Sequence, residues 1–136
     1  MTELKHPSQS TQLKLSEYYE NKKFKDAEDL AISLSKEFPA YAFSWKVLGA
    51  VFGATNRSLE SLNAFERAVQ LEPSDPASLF NLCIALQDLN KLDESETICR
   101  KLIKIKPDFA EAHFNLGFIM QQLNRFNESE VCYKTV

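Results

Sequence analysis

Three cysteines, Cys83, Cys99 and Cys132, and two histidines, His6 and His113, are the residues of this 136-residue chain best suited to nucleophilic, redox or metal chemistry. Zinc and thiol redox centres need closely spaced ligands, usually as C-x-x-C pairs or mixed His/Cys clusters. No two of these cysteines form such a pair, and neither histidine has a cysteine or carboxylate at ligand spacing. No metal site is expected. An odd cysteine count without framework spacing also argues against structural disulfides. It favours a reducing, cytoplasmic setting in which the thiols are packing residues. Gly49, Gly53 and Gly117 form no phosphate-binding loop, and the carboxylates within 26–29 and 93–96 read as solvated helix faces. With no Ser–His–acid or Cys–His constellation in view, the chain is expected to be no enzyme and to need no cofactor.

The elements that would position such residues follow from the prolines. Pro39, Pro73 and Pro107 are spaced 34 residues apart, the period of stacked helix–turn–helix units. Apolar residues make up 44% of the chain and charged residues 26%, ordinary values for a globular protein, and only 3 glycines interrupt it. A net charge of −3 offers no footprint for nucleic acid. No apolar run approaches a membrane span, and residues 1–10 lack the apolar core of a secretory signal, so no membrane insertion is expected.

With each proline at repeat position 32, the units are 8–41, 42–75, 76–109 and 110–136, after a polar tail at 1–7. Each holds an A helix and a B helix. The A helices are predicted over 11–20, 41–54, 76–89 and 110–123, and the B helices over 25–37, 58–71, 92–105 and 126–136. Trp45, Leu48, Gly49 and Phe52 share one face of the second A helix, with Gly49 where a neighbouring helix must come close. Asp75 before Pro76, and Asp108 three residues before Glu111, read as helix N-termini.

These residues carry a resemblance. Trp45-x₂-Leu48-Gly49-x₂-Phe52 followed by Phe65 and Pro73 resembles the tetratricopeptide pattern, with Ser61 where that pattern prefers Ala. Leu79, Leu82, Cys83 and Leu86 with Cys99, Leu102 and Pro107 repeat it. So do His113, Leu116, Gly117 and Met120 with Phe126 and Tyr133. In the first unit Thr11 and Lys14 occupy anchor positions, so its A helix is degenerate. The resemblance covers residues 8–136 and implies an all-α, right-handed solenoid of antiparallel helix pairs. In its register Cys83 and Cys99 face each other between helices A and B, and His113 is a packing residue.

The resemblance also implies that A-helix positions 2, 5, 6, 9, 12 and 13 line a concave groove. These positions hold Lys46, Phe80, Asn81, Ile84, Gln87, Asp88, Phe114, Asn115, Phe118, Gln121 and Gln122, among others. Phe80 with Ile84, and Phe114 with Phe118, would form an apolar stripe flanked by amides able to pair with peptide backbone. The same rings would also fit packing against the next A helix. Chaperone-binding members of the family clamp a C-terminal carboxylate with cations at positions 5 and 9. Lys46 is the single cation among Gln12, Ser16, Lys46, Ala50, Phe80, Ile84, Phe114 and Phe118, so no clamp is expected. Phe80-Asn81-Leu82 and Phe114-Asn115-Leu116-Gly117 resemble rungs of the asparagine ladder in O-linked N-acetylglucosamine transferases, with Val47 breaking the ladder at the second unit.

The leading expectation is a scaffold or adaptor that binds a protein or peptide segment in the groove. Two readings stand beside it. One is the substrate-recognition part of a larger transferase, since the fourth unit stops inside its B helix. The other is self-association (a homo-oligomer) through a C-terminal edge carrying Phe126, Cys132, Tyr133 and Val136.

Overall fold

The computed structural model describes residues 5–135. Among these it is all-α, with eight helices: α1 (Gln9–Glu20), α2 (Phe24–Glu37), α3 (Ala42–Ala54), α4 (Ser58–Leu71), α5 (Pro76–Asp88), α6 (Leu92–Ile105), α7 (Ala110–Gln122) and α8 (Phe126–Thr135). Each A helix is joined to its B helix by a three-residue turn, which leaves the pair antiparallel. Each predicted helix has an observed counterpart. The largest shift at a start is α1, which begins at Gln9 because Ser8 caps it, its hydroxyl accepting from the Thr11 amide at 3.3 Å.

The four A helices end alike. Lys22, Asn56, Asn90 and Asn124, each 34 residues from the next, take left-handed φ values of 56, 61, 60 and 61°. The amide after each reaches back across the turn, as in Arg57 to the Phe52 carbonyl at 2.8 Å and Lys91 to the Leu86 carbonyl at 2.8 Å. This is the Schellman arrangement, which satisfies carbonyls that a helix end leaves open. Asparagine tolerates the left-handed region better than most residues and lysine does not, so the first unit's turn is the strained one. The B helices end otherwise. Phe38, Glu72 and Lys106 each donate to the carbonyl four residues back, then swing to ψ of 71–83° ahead of proline.

The helices gather into two compact units, with the division after Glu72. The first holds α1–α4 around Leu15, Ala27, Ala31, Leu34, Val47, Leu48, Val51 and Ala64. The second holds α5–α8 around Leu79, Leu82, Cys83, Leu86, Cys99, Leu102, Ala112, Leu116, Ile119 and Met120, all buried.

Within each helix pair, one facing couple trades volume. A Cβ on Gly49 would lie 2.5 Å from the Phe65 ring, and one on Gly117 would lie 2.6 Å from the Tyr133 ring. Where the A helix carries a larger residue the B helix carries a smaller one: Leu15 with Ala31, and Cys83 with Cys99. Beside this couple a serine ties the two helices. The Ser61, Ser95 and Ser129 hydroxyls donate to the carbonyls of Gly49, Cys83 and Gly117 at 2.7, 2.9 and 2.8 Å. The departure from Ala at Ser61 is thus an extra interhelical hydrogen bond.

Three expectations need correction. Asp108 and Glu111 form no capping box: α7 is preceded by Phe109, which makes no side-chain cap. Pro7, assigned to the tail, is buried and its carbonyl accepts from the Gln12 side-chain Nε2 at 2.8 Å; residues 1–4 of that tail lie outside the described residues. His113 does more than pack. Its Nε2 lies 2.7 Å from the Pro107 carbonyl, as Trp45 Nε1 donates to the Pro39 carbonyl at 3.0 Å. Each aromatic N–H therefore ties its A helix to the carbonyl of the preceding proline.

Candidate peptide-binding groove

In the second unit, α5 and α7 present Phe80, Ile84 and Phe114 around an open cavity of about 480 Å³, completed by Ala110, Glu111 and Asn115. Residues four apart on one helix share a face, which places Phe80 beside Ile84 and Phe114 beside Phe118. Both Phe80 and Phe114 pair with a second ring. Phe80 meets Phe109 edge-on at 5.4 Å, and Phe114 leans on Tyr133 at 5.5 Å. Phe114 remains 58% exposed and Phe118 37%, whereas Phe80 and Ile84 are half-buried.

The amides behave differently from the rings. Asn115 is 7% exposed and its Nδ2 donates to Cys83 Sγ at 3.1 Å. Val47, at the equivalent place on α3, is a core residue. Position 6 is thus buried at both. Asn115 therefore forms the polar floor of the cavity, not a rung of exposed amides, while Asn81 is half-buried. The Gln121 Oε1 accepts from the Tyr133 hydroxyl at 3.1 Å, fixing the ring that braces Phe114. Gln87 keeps its Oε1 buried without a hydrogen-bond partner among the described residues.

Lys46 belongs to the first unit, where its Nζ lies 2.6 Å from Glu72. That unit has its own smaller cavity of about 280 Å³ among Tyr19, Glu20, Lys22, Phe24, Ala50 and Ala54.

Cys83 and Cys99 are free, buried and hydrogen-bonded. The Cys83 sulfur also lies 3.2 Å from the Ser95 hydroxyl, and the Cys99 thiol donates to the Ala112 carbonyl at 3.3 Å. Its hydrogen bond to Cys83, with burial, pushes the Cys99 thiol up from its ordinary range. A thiol held neutral is a poor nucleophile. Among the described residues no three His, Cys, Asp or Glu side chains converge as metal ligands. No helix there is long and apolar enough to cross a membrane.

Two arginine–glutamate pairs recur at a separation of 29 residues. Arg57 binds Glu28 through both guanidinium nitrogens, and Arg125 binds Glu96 at 2.7 Å. Sequence reading missed them, because each links the B helix of one repeat to the turn of the next. The repeat of that spacing was the available signal. At the C-terminal edge Phe126 and Val131 of α8 are largely exposed. Tyr133, expected on that edge, instead packs over Gly117 and against Phe114; Val136 lies outside the described residues.

Comparison with known proteins agrees with the helical-repeat fold. Residues 57–113 match the tetratricopeptide repeat family model. The peroxisomal targeting signal receptor of Candida glabrata is 31% identical over 78 residues, which are 57% of this chain and 13% of that protein. The chain therefore spans only a small part of that relative's length. Among solved structures, MamA superposes with a TM-score of 0.85 at 18% identity, covering 89% of this chain and 71% of that one. A MamA structure from Desulfovibrio magneticus RS-1 gives 0.80 at 17% identity, covering 86% and 66%. YrrB, described as a tetratricopeptide protein with an unusual peptide-binding site, gives 0.83 at 19% identity, covering 89% and 62%. Residues 57–113 thus carry the tetratricopeptide signature, and the chain as a whole has the fold of the tetratricopeptide solenoids MamA and YrrB.

Proposed function

We propose that this chain is a protein-interaction module whose second unit takes an extended peptide or helix segment against Phe80, Ile84, Phe114 and Phe118. One observation carries the reading: Phe114 is 58% exposed on the wall of an open, apolar cavity. A ring held out into solvent in this way is costly to keep wet and is the usual form of a binding anchor. Asn115, among the residues lining the same cavity, would supply a polar atom to orient a peptide backbone. The description of YrrB as a peptide-binding tetratricopeptide protein supports the same reading.

The test is to pan a phage-displayed random peptide library against the whole chain and measure the selected synthetic peptides by fluorescence polarisation. Truncation of a buried aromatic anchor costs about 2 kcal/mol or more of binding. Phe114→Ala should therefore weaken the selected peptides at least about thirtyfold, with the helical circular dichroism unchanged. Unaltered binding by Phe114→Ala and by Phe80→Ala would remove the groove from the account.

A further inference from the structure

The walls of this groove are electrically one-sided. Asp88 and Glu111 are the sole Asp, Glu, Lys or Arg residues on α5 and α7; neither helix carries a lysine or an arginine. The cations of this unit sit on α6, α8 and the connecting segments: Arg100, Lys101 and Lys104 on α6, with Arg100 and Arg125 committed to Glu96 and Glu128. Lys106 is held over the Phe109 ring, 5.3 Å from its centroid, and does not line the cavity. Glu111 does line it, beside Phe80 and Phe114, and is exposed with no cation paired to it among the described residues. Asp88 lies one helical turn beyond Ile84 on the face shared by Phe80 and Ile84, and is also exposed.

An apolar cavity with an unpaired carboxylate on its wall discriminates by charge. A ligand carboxylate or phosphate placed there meets like charge in a partly desolvated site, whereas an ammonium or guanidinium meets its complement. Resting on the groove reading above, we propose that the partner of the second unit is a basic apolar peptide. It seats one large aliphatic or aromatic side chain against Phe80, Ile84 and Phe114 and has a Lys or Arg adjacent to that anchor paired with Glu111. The cation sets which anchored segments are accepted, and the anchor supplies most of the affinity.

The composition of the selected peptide pool tests this. Panning of the native chain should enrich Leu, Ile, Phe or Trp with a neighbouring Lys or Arg. A synthetic peptide from that pool should bind Glu111→Gln about fivefold more weakly, the worth of one rim charge pair, and lose affinity as salt rises. Glu111→Lys should shift the pool toward Asp and Glu. Glu111 is exposed, so neither change should alter the circular dichroism. A pool without an excess of cations, or one that Glu111→Lys leaves unchanged, overturns the charge assignment while the groove stands. A pool recovered equally by Phe114→Ala and Phe80→Ala overturns the groove and this inference together.

Discussion

Replacing Gly49 by alanine sets two opposed effects against each other. In an isolated helix the change would stabilise by about 0.8–1 kcal/mol, because alanine loses less backbone freedom than glycine. Here the new methyl would meet three carbons of the Phe65 ring at 2.5, 2.6 and 2.7 Å. Ordinary carbon contacts lie near about 3.5–4 Å, so the ring must retreat by about 1 Å. It is 7% exposed and has little room to do so. Overpacking of this kind costs about 1–3 kcal/mol. The clash should outweigh the helix gain, leaving Gly49→Ala less stable by about 1 kcal/mol and at most about 2 kcal/mol. Phe65→Ala alone should cost about 3–5 kcal/mol. The double variant should cost less than the sum by about 1–2 kcal/mol, because the methyl then grows into the space the ring vacates. Urea titration followed by Trp45 fluorescence and far-ultraviolet circular dichroism reads this directly, since Trp45 is the single tryptophan and lies on the same helix as Gly49. A Gly49→Ala protein as stable as the parent or more so, or a strictly additive cycle, would refute the volume-trade argument.

Three other outcomes can be checked in the same way. Lys22→Asn should stabilise the first unit by about 0.5–1 kcal/mol in urea titration, by placing at φ 56° a residue that tolerates the left-handed region as Asn56, Asn90 and Asn124 do. Cys83→Gly with Cys99→Phe should recover most of the stability lost by Cys83→Gly alone, since the pair then reproduces Gly49 with Phe65; a second loss added to the first would show that the two helix pairs do not share this rule. Acid should unfold the chain through its ion pairs. The hydrogen bond from Arg57 holds the Glu28 carboxyl below its ordinary 4.5. Burial pushes the Glu96 carboxyl up, but hydrogen bonds from Arg100 and Arg125 leave it lowered overall. Groups depressed in the folded state contribute their full stability above their unfolded value and lose it as pH falls through the folded one. The thermal midpoint should therefore be flat near neutrality and fall below about pH 4.5, and Arg57→Met or Arg125→Met should flatten that fall.

Much of this architecture is written in one dimension. Pro39, Pro73 and Pro107 terminate α2, α4 and α6 because proline cannot continue a helix. Asp75 and Pro76 start α5, the aspartate accepting from the Ser78 amide at 3.1 Å. Asn56, Asn90 and Asn124 suit the left-handed turns in which they stand, although Lys22 takes the same turn without asparagine. These are local effects of single residues on their own backbone, so the sequence alone determines them, along with the order and length of the helices. It also puts Phe80 with Ile84, and Phe114 with Phe118, on one helix face each, because residues four apart on a helix lie one above the other. What the sequence does not determine is which residue a given face meets. Asp108 carries the signature of a cap, yet α7 starts without it. Asn115 reads as a groove amide and lines the cavity, but its Nδ2 is taken by Cys83; His113 reads as a packing residue, and it also holds the Pro107 carbonyl. Gly49 and Phe65, or Cys83 and Cys99, make sense only as couples, and Glu96 finds Arg125 at a distance of 29 residues. Helical periodicity assigns a residue to a side of its own helix. Only tertiary packing, in which every buried volume and polar atom must find a complement on a different helix, decided its partner.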